Sequence, residues 1–299
     1  MKAAVVCSKG IGDGLMMMVA SHRLRLEGYE VTTFQDELHQ LKPFFPGHHF
    51  EKRSAPLFLE PFDLIFLQND NSAFSKEIIE KYRSKLSIFY ASYEKGKHPP
   101  LTSDDWVSNR TLTLTENISL AITSRLKKKS ALIENGLTIP DDLIRNKEKN
   151  RIVIHPTSSN LQRNWKREKY LKLAKRLSQD GYRVVFAMSP KEKEAWQDIP
   201  FDLPHFPTLS TLASYLYESF FLIGNESGTG HLASNLGLNT LIIARSEKEM
   251  ALWRPGFLPG KVITPKRYIP NFKFCRFRDS YWAHLISSRR VYETFQKAI

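Results

Sequence analysis

Gly224-Asn225-Glu226-Ser227-Gly228-Thr229-Gly230-His231 follows directly on the apolar run Phe220-Phe221-Leu222-Ile223. A buried strand that ends in a glycine- and hydroxyl-rich turn and restarts as a helix, here Leu232-Ala233-Ser234-Asn235-Leu236, builds a seat for phosphate. The first N–H groups of such a helix lack internal partners, and its dipole places partial positive charge beside them. Small residues admit a ligand to the backbone, and Ser227 and Thr229 add hydroxyl donors. The plainer alternative is an ordinary βα turn with a Ser/Thr cap, so this loop needs company before it implies chemistry.

Two other loops also follow predicted strands, Ser8 to Gly14 and Pro156 to Trp165. In doubly wound sheets such loops point at one crevice, and the convergence says more than any loop alone. Gly10-Ile11-Gly12-Asp13-Gly14 is not a dinucleotide fingerprint, because Leu15 stands where the last glycine belongs. No Gly-Lys-Ser/Thr follows, so it is not a P-loop either. Asp13 is a lone carboxylate at a helix start: an N-terminal cap worth roughly 1 kcal/mol, or a base aimed into a cleft. Gly224 to Gly228 is not G-x-S-x-G, which removes the nucleophile elbow of the α/β-hydrolases. The nine histidines show no metal-ligand spacing and Asp104-Asp105 has no flanking ligands, so neither a metal nor another cofactor is expected.

The elements that must carry these loops alternate between strand and helix, twice over. In the first half, residues 3–7, 31–34, 64–67 and 86–90 read as buried strands, and residues 15–26 and 75–85 as helices. Ser92 to Asn117 has weak periodicity and a Pro99-Pro100 break, and is expected to be a mobile loop. Polar and charged residues from Pro140 to Asn150 mark a linker. Beyond it, strands at 152–154, 183–186, 221–223 and 240–243 alternate with helices at 168–178, 211–217 and 231–236. The expected fold class is α/β, with two Rossmann-like, doubly wound domains facing a central cleft. Their expected bounds are 1–147 and 148–299, with the last stretch, about 280–299, packing back on the N-terminal domain.

At 299 residues the chain is long enough for two cores, and no apolar run reaches the roughly 20 residues needed to span a bilayer. Cys7 and Cys275 make no disulfide framework, and the N-terminus has no signal-peptide pattern, so a cytoplasmic protein is expected. The formal net charge of +13 is unevenly spread, with nine Lys/Arg against two Asp/Glu in residues 261–299. There Lys266, Arg267, Lys273, Arg276, Arg278, Arg289 and Arg290 interleave with Tyr268, Phe272, Phe274, Phe277, Tyr281 and Trp282. Partial burial of these aromatics is expected, while the cations suit an anionic substrate, a membrane surface or nucleic acid.

Taken in order, Gly12-Asp13 at the first helix, His155-Pro156-Thr157-Ser158-Ser159 followed by Trp165, and Ser227-Gly228-Thr229-Gly230-His231-Leu232-Ala233 resemble a known family. The chain is similar to the family 9 glycosyltransferases, the lipopolysaccharide core heptosyltransferases, which have the two-Rossmann GT-B fold. The resemblance runs through most of the C-terminal half and the first thirty or so residues. It implies inverting, metal-independent transfer of a sugar from a nucleotide diphosphate, with ADP-heptose the typical donor, to an anionic glycolipid acceptor of the lipopolysaccharide core. It implies that Asp13 is the general base. It places the donor at Thr157, Ser158, Arg163, Glu192, Glu226, Ser227, Gly228, Thr229 and His231, with Arg163 standing where the family has Lys and Glu192 as the ribose-binding Glu. Lys9 and Arg53 are expected at the acceptor by charge and position. Three departures surround the donor: Glu226 where the family has Asp, Lys166 where it has Pro, and Ala187-Met188-Ser189-Pro190 where it has a Gly-rich turn.

The expectation is therefore a cytoplasmic transferase, peripheral on the inner membrane, with no nucleic-acid partner. Other readings stay open: another nucleotide sugar, an epimerase or phosphorylase on the same scaffold, or a non-catalytic member that binds polyanions.

Overall fold

A computed structural model of the 299-residue chain describes residues 1–53, 57–258, 260–272 and 274–299. Lys273, counted among the cations of the tail, lies outside the described residues. The chain divides into two compact units, Met1–Pro140 and Asp141–Ile299.

The first unit runs β1 (Lys2–Val6), α1 (Ile11–Leu26), β2 (Glu30–Phe34), β3 (His49–Glu51), β4 (Leu64–Asn69), α2 (Ala73–Tyr82), β5 (Leu86–Tyr90), β6 (Trp106–Val107) and α3 (Leu114–Arg125). All six strands are parallel, in the order β3-β2-β1-β4-β5-β6. Parallel strands buried on both faces read as continuous apolar runs, and Ala3 to Val6 and Leu64 to Leu67 are almost wholly inaccessible. The reversal of strand order between β1 and β4 opens the crevice in which sheets of this kind bind ligands. Helix α1 begins four residues before the expected Leu15, with Gly10 as its N-cap, so Asp13 sits in its first turn.

The segment 92–117, expected to be a loop, contributes β6 and the first residues of α3. Helix α3 opens with a capping box, the Thr113 hydroxyl accepting from the Glu116 N–H and the Glu116 carboxylate accepting from the Thr113 N–H. Its apolar period is hidden because Thr115, Asn117 and Ser119 are themselves buried. Asn117 earns that position by receiving the Asn109 N–H and donating to the carbonyls of Asn109 and Thr113.

The second unit runs β7 (Glu148–His155), α4 (Arg167–Gln179), β8 (Arg183–Phe186), α5 (Pro190–Lys193), α6 (Leu209–Tyr217), β9 (Ser219–Asn225), α7 (Gly228–Asn235), β10 (Asn239–Ile243), α8 (Glu247–Trp253), β11 (Lys261–Ile263), α9 (Phe277–Ser280), α10 (Trp282–Leu285) and α11 (Ser288–Gln296). Its five parallel strands take the order β11-β10-β9-β7-β8, with the switch point between β7 and β9. Helices α1 and α4 both end on a left-handed glycine, Gly28 (φ +82°) and Gly181 (φ +88°). In each, the next N–H reaches back to the carbonyl of Leu24 or Leu177.

The division falls after Pro140, not at 147. Residues 141–147 are tied to the second unit by the Asn146 N–H on the Tyr217 carbonyl and the Arg145 guanidinium on the Gly237 carbonyl. The terminal stretch contributes to the core of the second unit. Trp282, Ile286, Val291 and Phe295 join one core with Ile152, Tyr170, Leu177 and Phe221. The apolar stripe of α11 finds its partner on α4, which explains why this segment stays with its own sheet.

The aromatics upstream do not follow Trp282 inward. Tyr268, Phe272, Phe277 and Tyr281 are 46–78% exposed, against the burial expected of them. Among the described residues no helix is long and apolar enough to cross a membrane.

Candidate active site

In the second unit, the loops after β7 and β9 flank the switch point and are locked together by Asn225. This fully buried amide accepts from the Trp165 N–H (3.0 Å) and the Tyr170 hydroxyl (2.9 Å), and donates to the Pro156 carbonyl. Trp165 is held in turn by its indole N–H on the Ile286 carbonyl, 3.1 Å away. Sequence reasoning passed over Asn225. Its only signal is an amide closing an otherwise apolar strand.

Around the start of α7, Ser227 Oγ and His231 Nδ1 are buried without a hydrogen-bond partner among the described residues, and Thr157 Oγ1, which has no partner of normal geometry, helps to hold the Glu192 carboxylate ionised. Thr157 and His231 are 7% and 6% exposed. A buried polar group left without a partner costs roughly 1–3 kcal/mol, which makes this helix N-terminus a candidate ligand site. Ser227 is the N-cap of α7 but makes no side-chain cap bond, so the plain capping alternative fails at this residue. Gly228 and Thr229 form the first turn. Burial pushes the His231 imidazole down to about 4, so it is neutral at physiological pH.

Arg163 Nη1 lies 3.3 Å from Glu226 Oε1, pairing the two family departures that face the anion seat. Burial raises the Glu226 carboxyl above its ordinary range, with Arg163 opposing. The Ser158 hydroxyl is 2.8 Å from both the Asn160 carbonyl and Asn164 Oδ1, so it shapes the loop rather than standing free. Lys166, in the family's proline position, is the N-cap of α4.

Glu192 forms a capping box at the start of α5. Burial works against its charge, but the Ser189 hydroxyl and N–H, 2.7 and 2.8 Å away, hold the carboxylate below its usual range. His155, one strand over, keeps its Nδ1 on the Ala187 carbonyl at 2.8 Å. A hollow of about 550 Å³ adjoins the loop after β7 and is lined by Gln162, Asn164, Lys166, Arg245 and Trp282.

In the first unit, Asp13 faces the crevice between β1 and β4. Gln68, buried at the end of β4, donates to Asp13 Oδ1 at 2.6 Å and accepts the Ser8 N–H at 3.0 Å, tying the loop after β1 to the carboxylate. Burial pushes the Asp13 carboxyl up to about 6; nearby Asp70 adds to the rise, while Gln68 and Arg53 oppose it. A carboxylate with such a pKa is ionised at pH 7 yet basic enough to take a proton from a hydroxyl as it attacks.

Arg53 is deeply buried, pairs with Asp70 at 3.1 Å, and lies over the Phe74 ring at 4.6 Å. Its Nε and Nη1 have no partners. Lys9 is exposed, and only its carbonyl is engaged, by the Gln35 side-chain amide at 3.0 Å. Gln68 and Gln35, which hold this loop, were not singled out from the sequence.

Two doubly wound parallel sheets of this kind are the arrangement of the GT-B fold. Residues 109–244, a little under half of the chain, match the model of glycosyltransferase family 9 (heptosyltransferase). The fold extends the likeness to both units. The structure of E. coli ADP-heptose lipopolysaccharide heptosyltransferase II is similar with a TM-score of 0.72 and 17% identity, covering 100% of this chain and 98% of the other. The E. coli heptosyltransferase WaaC with ADP gives 0.69 and 12% over 100% of both chains. The family 9 glycosyltransferase from Veillonella parvula gives 0.64 and 16%, covering 99% and 96%. No curated protein matches significantly by sequence alone.

Proposed function

We propose that this protein transfers a sugar, heptose in the first instance, from a nucleotide diphosphate to a hydroxyl of an anionic glycolipid acceptor, with inversion at the anomeric carbon. The observation that carries the reading is the pair of unpartnered buried atoms, Ser227 Oγ and His231 Nδ1, at the start of α7, with the Thr157 hydroxyl on the neighbouring loop. An anion there accepts from the free N–H groups of the helix, from both hydroxyls and from whichever imidazole nitrogen carries the proton. The choice of adenine nucleotide rests on the E. coli heptosyltransferase WaaC, whose structure was determined with ADP and with ADP-2-deoxy-2-fluoro heptose.

In this reading Asp13 takes the proton from the acceptor hydroxyl as its oxygen bonds to the anomeric carbon. The bond from that carbon to the diphosphate oxygen breaks, and the diphosphate leaves with the electron pair. Negative charge grows on the leaving group, where the α7 N–H groups and Arg163 favour it. Glu226 beside Arg163 gives the cation a resting partner before the donor arrives. Glu192 is assigned to the ribose and Ser158 to shaping the phosphate loop, while Lys9 and Arg53 are assigned to acidic groups of the acceptor. The acceptor being lipid-linked, the enzyme works at the cytoplasmic face of the inner membrane, in lipopolysaccharide synthesis.

The test is single-turnover transfer from ADP-heptose to a deacylated core acceptor by wild type and Asp13→Asn. Loss of transfer by at least a thousandfold, with ADP affinity kept, supports the assignment. An unchanged rate in the variant removes Asp13 as base. Turnover of the nucleotide sugar without any acceptor points to the epimerase or phosphorylase class.

A further inference from the structure

The segment between β11 and α10 is a basic surface studded with aromatics. Residues 254–280 contain seven Lys/Arg against the single Asp279. Tyr268, Phe272, Phe277 and Tyr281 are 78%, 63%, 46% and 52% exposed, whereas Trp282, the next residue along, is 4% exposed.

The loop that displays them is folded upon itself. The backbones of Phe272 and Cys275 exchange both hydrogen bonds, at 3.0 and 2.9 Å, and the Arg278 N–H reaches the Pro270 carbonyl at 3.1 Å. Phe277 and Tyr281 lie one turn apart, their rings tilted by 33° with centroids 4.7 Å apart. Beside this platform lies a hollow of about 680 Å³ whose rim carries Arg254, Lys261, Lys266, Arg267 and Arg290, with Glu247 as its one acid. Glu247 is spent on Arg267, both of whose contacting nitrogens lie 2.7 Å from its oxygens, so the remaining cations are uncompensated there.

We propose that this face of the second unit docks on an anionic lipid bilayer. Tyr and Phe side chains enter the headgroup boundary, where their amphipathic or apolar rings are favoured, and the flanking cations meet the negative surface. Charge complementarity decides the occupant. A protein partner of ordinary composition would leave the cations of the 680 Å³ hollow unpaired, whereas phosphate headgroups fill it. The inference deepens the membrane side of the proposed function and is independent of its chemistry, because the surface needs neither donor nor acceptor.

The experiment is flotation of the full chain with vesicles of phosphatidylethanolamine and phosphatidylglycerol, free of any glycolipid, against vesicles of phosphatidylcholine alone. Wild type is expected to float with the anionic vesicles only, and less so as salt rises. Each cation near such a surface is worth roughly fivefold in partitioning, so combining Lys266→Gln, Arg276→Gln and Arg278→Gln lowers it about 100-fold. Combining Phe272→Ser, Phe277→Ser and Tyr281→Ser lowers it at least tenfold, by withdrawing apolar surface from the bilayer. An unchanged melting temperature and an unchanged melting shift with ADP show that each variant is folded with its nucleotide site intact. Three results overturn the proposal: wild type stays free of both vesicles, it binds both equally, or the serine variant floats as wild type does. If heparin binds the serine variant as tightly as wild type, while neither floats, the surface is a site for a soluble polyanion.

Discussion

Replacing the proposed base by its neutral isostere is expected to make the protein more stable at neutral pH while it destroys transfer. The folded-state pKa of Asp13 is pushed up to about 6, above the 3.8 of an ordinary carboxyl. The folded chain therefore holds the proton more tightly than the unfolded one. The stability Asp13 contributes is fully present below about pH 4 and is lost as pH rises through about 6. At about 1.4 kcal/mol per pH unit, the ionised carboxylate costs about 3 kcal/mol at pH 7. Asp13→Asn removes that cost and keeps the Oδ1 that accepts from Gln68. For a folding unit of this size, about 3 kcal/mol corresponds to a rise of roughly 6–12 °C in melting temperature. The assay is calorimetric melting of wild type and Asp13→Asn across pH 4 to 8. The gain is expected to be full at pH 7 and to vanish near pH 4. A variant that melts lower at pH 7, or whose gain ignores pH, would refute the claim that burial raises this carboxyl.

The same pKa predicts that kcat/KM for transfer falls tenfold per pH unit below about pH 6, measured as an initial-rate profile. Arg53→Gln removes a cation that lowers the Asp13 pKa, so it moves that acidic limb to higher pH; a limb that stays put separates the two residues. Asn225→Leu leaves the Trp165 N–H, the Tyr170 hydroxyl and the Pro156 carbonyl without their partner, and is expected to cost about 3–5 kcal/mol in urea unfolding. Gly136→Ala forces a left-handed backbone (φ +79°) on alanine and sets its Cβ 2.5 Å from both His22 Nδ1 and His48 Nε2. A loss of about 2–4 kcal/mol is expected by the same measurement.

The inner strands were legible because they are buried on both faces and read as unbroken apolar runs, as Leu64 to Leu67 does, whereas the short, largely exposed edge strands β3, β6 and β11 carry no such run. The helix starts were less so. Leu15 is the first residue of α1 with an obvious apolar period, but Gly10 caps the helix and the first turn already holds Asp13. Helix α3 escaped notice because its buried face carries Thr115, Asn117 and Ser119; Asn117 finds its partners in the preceding loop and Ser119 in the segment near Leu132.

At the candidate site, the turn from β9 into α7 could be read from composition, since glycines and hydroxyls behind a strand act locally. The amides that build the site could not. Gln68 gains meaning only from Ser8 and Asp13, and Asn225 only from Pro156 and Trp165, all 55–69 residues away in sequence. The same holds for Ser158, whose hydroxyl is as good a phosphate donor as any until Asn160 and Asn164 are seen to occupy it.

The central claim is that the α7 N-terminus is a nucleotide-diphosphate site, and titration calorimetry with ADP, UDP, GDP and inorganic phosphate tests it most directly. Wild type is expected to bind ADP in preference to the others. Thr157→Val, which leaves no hydroxyl to satisfy, and Arg163→Ala are each expected to weaken that binding by tenfold or more, a loss of about 1.4 kcal/mol. Binding of no diphosphate, or ADP binding that both variants retain in full, would contradict the account.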